Sequence, residues 1–202
     1  MKRRPGVGAL AAAGLVALLA GNSHAAESTA WRVVRGDVRI VCPMTVGGSF
    51  EAKTTSLAGT LTPVSTRPAA FAGPLTIDLR TLDTGIGLRD EHMRDTYLEV
   101  GKGEGFATAI LSDIDLGEVA AEALRGRAHF TGTLLLHGVT KAITGVAEVR
   151  RQGESVRVDA SFRVALADYG IAKPQYLGVG VRSEVEVKAS LVATAAAPAA
   201  SR

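Results

Sequence analysis

Residues 156–166 read Val-Arg-Val-Asp-Ala-Ser-Phe-Arg-Val-Ala-Leu, with an apolar side chain at every second position. Polar residues such as Arg157 and Asp159 fall between the apolar ones. Successive side chains of a β-strand point to opposite faces, so strict alternation indicates a strand with one buried and one solvated face. The same pattern recurs at Val181–Leu191 and, in a shorter form, at Leu75–Leu79. It is typical of antiparallel sheet.

A single segment interrupts a chain that otherwise has strand character. Gly87–Leu98 places Leu88, Met93 and Tyr97 near helical spacing among charged residues, which predicts a short helix between two strands. About eight long strands with one helix favour an all-β fold, a closed antiparallel barrel, over a sandwich, because closure removes exposed sheet edges. The other predicted strands are Trp31–Val34, Val38–Val41, Ser49–Ala52, Ser56–Val64, Phe106–Ser112, Ala123–Leu136 and Ile143–Arg150.

The first 26 residues have the layout of a secretory signal peptide. Three basic residues precede an apolar run from Val7 to Ala20, and small residues that suit cleavage follow. The apolar run is shorter than the roughly 20 residues that cross a bilayer, so we expect no stable membrane insertion. We predict a cleaved signal, a periplasmic location and one domain over residues 27–193. The Ala-rich residues 194–202 are predicted to be a disordered tail.

Charge and cysteine content exclude several classes of protein. The chain has 23 basic and 20 acidic residues, and without the three basic residues of the signal it has 20 of each. A neutral chain with few aromatic residues lacks the basic surface that nucleic acid requires. Cys42 is the only cysteine and cannot form an internal disulfide, so packing must stabilise the domain. Its apolar neighbours favour an inert buried thiol over an intermolecular or redox-sensitive one.

The sequence contains no catalytic or metal-binding motif. Outside the signal the histidines are His92, His129 and His137, and they form no His-x-x-x-His pair, nor is there a Cys-x-x-Cys for a tight zinc site. A Gly-x-Ser-x-Gly nucleophile motif is absent, and Gly101–Gly105 lacks the glycine that a Walker motif requires. We therefore predict no enzyme, no catalytic residue, no metal and no cofactor.

His137 lies in the stretch Gly132–Lys141, which reads GTLLLHGVTK. In an extended strand Leu134 and Leu136 share the apolar face, and His137 falls on the other face directly before Gly138. We interpret His137 as a turn residue whose ring is hydrogen-bonded to nearby backbone or to Thr140.

Three stretches, in the same order, resemble the YceI-like family of periplasmic polyisoprenoid-binding proteins. They are Arg89–Arg94 (RDEHMR) with its apolar continuation, Gly132–Lys141, and Phe162–Ile171 (FRVALADYGI). The resemblance spans about Trp31 to Val192. One departure is Gly101–Gly105, which stands where the family has an aromatic residue followed by proline. The resemblance implies a single eight-stranded lipocalin-like barrel whose interior holds a polyisoprenoid or a similar apolar small molecule.

A barrel of this kind would bind its ligand with the apolar faces of its strands. The charged residues Arg89, Asp90 and His92 either solvate a surface helix or form a rim that holds the polar head of the ligand. The alternative function is an exported structural or stress-response barrel with a packed interior and no ligand. A homodimer is left open. The predicted interior wall consists of Leu75, Ile77, Leu79, Phe130, Leu134, Leu136, Val158, Ala160, Phe162, Val164, Val185 and Val187.

Overall fold

The structure, a computed structural model, describes residues 29–120, 122–176 and 179–196. The strands are β1 (Trp31–Pro43), β2 (Ser49–Thr54), β3 (Ala58–Pro63), β4 (Ala70–Ala72), β5 (Leu75–Asp78), β6 (Thr108–Asp115), β7 (Gly126–Leu136), β8 (Val139–Gln152), β9 (Ser155–Ala165), β10 (Gln175–Tyr176), β11 (Val179–Gly180) and β12 (Glu184–Ala195). The helices are α1 (Gly87–His92), which continues into a π-helical turn (Met93–Tyr97), and α2 (Glu104–Ala107). Short 3₁₀ turns cover Leu79–Thr81, Val100–Lys102 and Leu166–Tyr169.

The strands close into an antiparallel barrel. β2 and β3 both pair with β1, and β4 and β5 both pair with β3 and β6, so each pair of short strands occupies one position in the wall. The ring then has eight positions: β1, β2–β3, β4–β5, β6, β7, β8, β9 and β12, which pairs back to β1. β10 and β11 form a separate two-stranded ribbon. The predicted eight-stranded barrel with a short helix between strands is confirmed.

The alternating pattern sets the register of the long strands. On β9 and β12, Val164 lies opposite Val185 and Phe162 lies opposite Val187. Cross-strand neighbours share one face of a sheet, so these apolar side chains all point into the barrel. Slipping either strand by one residue would turn the whole apolar set outward, which is why this register is strongly favoured.

Several predicted strand ends differ from the observed ones. β1 is one continuous strand rather than two, because a bulge between Val33 and Arg35 absorbs the break in alternation. Phe106 lies in α2 instead of starting a strand, and Leu79 follows β5 in a 3₁₀ turn.

The two chain ends lie partly outside the described residues. β12 continues to Ala195, two residues beyond the predicted end of the domain, because Thr194 and Ala195 still pair with β1. The rest of the predicted tail, and the whole predicted signal peptide, fall outside the residues that the structure describes.

The β7–β8 hairpin has a two-residue turn formed by His137 and Gly138, since Leu136 pairs with Val139. Both turn residues have positive φ angles, 51° and 74°, as a type I′ turn requires. The prediction that His137 is a turn residue is therefore confirmed.

The His137 ring is hydrogen-bonded to backbone as predicted, but its partners are not the local ones that were expected. Nδ1 lies 2.9 Å from the carbonyl oxygen of Tyr169, and Nε2 lies 3.1 Å from a carboxylate oxygen of Glu99. Neither partner belongs to the hairpin, and Thr140 makes no contact of this kind. The ring also meets Phe106 edge to face, with centroids 4.7 Å apart. His137 thus ties the hairpin to two distant turns at the same end of the barrel.

Candidate ligand-binding site

The barrel interior contains a cavity of about 730 Å³, which we call the large chamber. Its walls come from inward-facing side chains of the long strands, and α1 with the following π-helical turn lies over one end. The volume is within the roughly 300–1,000 Å³ that small-molecule sites usually have. A second cavity of about 120 Å³, the small chamber, is lined by apolar residues of the same barrel interior.

The structure brings all of the predicted wall residues together around these two cavities. They divide by position along the barrel. Lining the large chamber alone are Leu79, Leu136, Val164 and Val185; lining the small chamber alone are Leu75, Phe130, Val158 and Ala160; lining both are Ile77, Leu134, Phe162 and Val187.

Polar side chains are concentrated where α1 and the π-helical turn meet the large chamber. Arg89 and His92, two of the three predicted rim residues, line it there. The Arg89 guanidinium lies over the Phe50 ring, 4.3 Å from the ring centroid, which fixes its position through a cation–π contact. The Tyr97 hydroxyl accepts a hydrogen bond from the Gln175 backbone N–H at 3.3 Å, so these two residues also hold the mouth together.

Asp90, the third predicted rim residue, does not line the chamber. Its side chain is buried, and one carboxylate oxygen accepts hydrogen bonds from the Thr84 backbone N–H (2.8 Å) and hydroxyl (2.6 Å). Burial alone would raise the pKa of Asp90, but the hydrogen bonds from Thr84 and the charge of Arg94 leave that pKa below its usual range. Asp90 therefore fixes the chain before α1 and is not available to a ligand head.

Cys42 lies on the wall of the large chamber near Arg89. The thiol is buried, and burial raises its pKa to about 11, although the positive charge of Arg89 acts in the opposite direction. Because the thiolate is the reactive form, the Cys42 thiol has little reactivity at neutral pH. The predicted burial of this thiol is confirmed.

The mouth of the large chamber also carries exposed apolar side chains. Ile86, Leu88 and Val179 line the chamber and yet are 49%, 65% and 38% exposed. Val46 is 68% exposed on the neighbouring β1–β2 turn. The backbone N–H of Thr45 in this turn donates a hydrogen bond to the Gly180 carbonyl oxygen. Exposed apolar side chains that lie together around one cavity, unlike isolated ones, often mark a binding site.

Sequence reasoning missed part of this rim. Thr96, Gln175, Ile86 and Val179 lie in turns and short elements, where no two-residue alternation marks an inward face. The predicted rim residues Arg89 and His92 and the helical spacing of Leu88 and Tyr97 pointed to this region, but the spacing did not show which side of the helix faces the cavity.

Two other features are absent from residues 29–120, 122–176 and 179–196. That part of the chain contains no group of three or more His, Cys, Asp or Glu side chains placed to hold a metal ion. It also has no helix whose length and apolar character would allow it to cross a bilayer.

Comparison with solved structures supports the fold. A polyisoprenoid binding domain from Saccharophagus degradans matches with a TM-score of 0.65 and 19% identity, covering 83% of this chain and 99% of that one. Burkholderia cenocepacia BcnA matches with a TM-score of 0.61 and 18% identity, covering 79% and 96%. A Campylobacter jejuni YCEI protein matches with a TM-score of 0.53 and 16% identity, covering 70% and 82%.

Comparison with protein families gives the relationship directly. No curated protein matches the chain. The family model described as YceI-like domain, however, matches residues 26–193, which is most of the sequence and includes every strand of the barrel apart from Thr194 and Ala195 at the end of β12. The chain belongs to the YceI-like family.

Proposed function

We propose that this protein is a periplasmic binding or carrier protein that encloses the tail of a polyisoprenoid-like or other long apolar ligand. The observation that carries the proposal is the large chamber, an apolar cavity of about 730 Å³ with a polar group at its mouth. A barrel with a packed interior and no ligand, the alternative function, is disfavoured by the same cavity. We propose no catalytic step.

The chamber can supply enough binding energy for such a role. Burying one methylene group stabilises a complex by about 0.8 kcal/mol, so ten of them contribute about 8 kcal/mol. That corresponds to a Kd of about 1 μM before the cost of ordering the chain is subtracted. A prenyl tail that fills the chamber buries more than this, which leaves a margin for that cost.

The head of the ligand would lie at Arg89 and His92. The Arg89 guanidinium is held in place on Phe50, so it can donate hydrogen bonds without first losing much freedom. An oxygen-bearing head, such as a hydroxyl, carbonyl or phosphate, would accept those hydrogen bonds. The Saccharophagus degradans neighbour, described as a polyisoprenoid binding domain, supports a ligand of this class.

Two adjacent substitutions on β12 test the proposal. Val185 faces the large chamber and Glu186 lies on the outer face of the same strand, so Val185→Trp fills the cavity and Glu186→Trp is the matched control. Purified wild type should yield a lipid on organic extraction and should bind a fluorescent prenyl probe. Val185→Trp should lose at least tenfold in probe affinity, whereas Glu186→Trp should keep it.

The result that contradicts the proposal is equally direct. Both variants should first be shown to melt cooperatively, because overpacking a core also costs stability. A wild type that neither carries lipid nor binds the probe, or two variants with equal affinity, removes the binding function.

For the location, mass spectrometry of the periplasmic fraction should find a mature chain beginning at Ala26 or Glu27.

A further inference from the structure

Three residues form a row across adjacent strands at the level where the two chambers meet. Phe130 on β7 lies opposite Gly145 on β8, which in turn lies opposite Phe162 on β9. A Cβ atom on Gly145 would lie 2.5 Å from the Phe130 ring, so that ring rests against the bare backbone of β8. The two phenylalanine rings meet edge to face, at 89° with centroids 6.2 Å apart. Aromatic pairs in this arrangement support each other in place.

The row continues around the barrel. Phe162 lies opposite Val187 on β12, and Val187 lies opposite Ile40 on β1. Among the described residues that line both chambers, Phe162 is the only aromatic one. We call the shared set the belt; it consists of Val38, Ile77, Ala109, Leu134, Phe162 and Val187.

We propose that the belt is the floor of the ligand site and that Phe162 sets the length of the apolar chain that the protein accepts. The inference rests on the proposed function and adds a limit to it. At roughly 30 Å³ per heavy atom, the volume that a water molecule occupies in the liquid, the large chamber holds about 24 atoms. Its ligand is therefore a single-chain prenyl lipid of roughly four to five isoprene units, with its head at Arg89.

A longer chain meets the Phe162 ring before it is fully enclosed. Its last units must then stay at the mouth, where they displace the head from Arg89. The small chamber, at about 120 Å³, adds room for only about four heavy atoms, roughly one isoprene unit, and only when the belt opens.

The test is a competition assay against a fluorescent prenyl probe. The competitors are prenyl alcohols that grow by one isoprene unit at a time, from farnesol to about eight units. For the wild type, affinity should rise by roughly tenfold or more with each unit up to four or five units and then stop rising. In Phe162→Ala, which joins the two chambers, the rise should continue for at least one further unit.

Ala160→Leu is the control that separates the belt from the cavity as a whole. Ala160 lines the small chamber alone, so filling that chamber should leave the wild-type length limit unchanged. When Ala160→Leu is combined with Phe162→Ala, the affinity should stop rising at the same number of isoprene units as in the wild type. If Phe162→Ala does not fold, Phe162→Val opens the belt with a side chain that suits a strand.

The failures of the two proposals are distinguishable. If no prenyl alcohol displaces the probe from any variant, the proposed binding function is wrong. A second outcome is that the affinity of the wild type keeps rising up to eight units and that Ala160→Leu lowers the affinity for the long alcohols. Ligands then already pass the belt in the wild type. That result overturns the inference about Phe162, while the binding function stands. An unchanged limit in a folded Phe162→Ala or Phe162→Val variant also overturns it.

Discussion

Replacing His137 by Asn should destabilise the barrel even though it leaves the hairpin turn intact. Asn followed by Gly is a preferred pair for a type I′ turn, so the positive φ angles at positions 137 and 138 remain favourable. What is lost is the bridge made by a ring whose side chain is only 9% exposed. The hydrogen bond to the Tyr169 carbonyl contributes about 1 kcal/mol and the edge-to-face contact with Phe106 about 0.5–1.5 kcal/mol. We therefore expect a loss of about 2 kcal/mol, to which the lost contact with Glu99 adds.

For a domain of this size a loss of 2 kcal/mol lowers Tm by roughly 4–8 °C, which differential scanning calorimetry resolves easily. Thr140→Ala is the control, because Thr140 was the local partner that the sequence suggested, and it should melt like the wild type. Glu99→Gln should fall between the two. If His137→Asn melts within a degree of the wild type, or if Thr140→Ala is equally destabilising, the bridge does not stabilise this end of the barrel.

Three further predictions concern single residues. Gly145→Ala should lower the free energy of unfolding in urea by about 1–3 kcal/mol, because its methyl group would meet the Phe130 ring. Gly87→Ala, which has open space around it, should lower that free energy far less. Equal effects would contradict the close approach of the Phe130 ring to Gly145. Alkylation of Cys42 should be slow at neutral pH and accelerate about tenfold per pH unit towards its pKa of about 11, and complete labelling within minutes at pH 7 would contradict its burial. Because the pKa of Asp90 is lowered in the folded state, its contribution to stability is present at neutral pH and is lost as pH falls through that lowered pKa. Asp90→Asn should therefore reduce the dependence of Tm on pH in the acid range. An unchanged dependence would contradict this role of Asp90.

The residues that face the interior of the candidate site could be predicted from the sequence, because side chains alternate between the two faces of a strand. Once Val156–Leu166 is recognised as a strand with a buried face, each even-numbered residue must point inward, and closure places those residues around one interior. The same rule placed Phe162 and Val187 on the inner face. It could not show that these residues line two separate cavities, because that depends on how side chains from all the strands pack in the interior.

The rim and the His137 bridge could not be predicted in the same way. His137 contacts Tyr169 and Glu99, which are 32 and 38 residues away along the chain. No local pattern relates those positions, since the contacts exist only after the barrel has closed. Asp90 shows the complementary error: a charged residue in an exposed-looking helix is buried because Thr84, in the preceding turn, supplies two donors to its carboxylate.

One side of the barrel is built from the short strands β2, β3, β4 and β5, which are paired with their neighbours less extensively than the long strands are. From β7 through β8, β9 and β12 to β1, neighbouring strands are joined over eight to eleven residue pairs. β3, in contrast, is joined to β1, β4 and β5 by two pairs each. Few hydrogen bonds link β3 to its neighbours, so its amide hydrogens should exchange with solvent through local opening. The amide hydrogens of the long paired strands should exchange only when the whole domain unfolds. The barrel thus combines a rigid half with a more flexible side, and a lipid of the proposed kind would have a wall that can open locally without unfolding the rest.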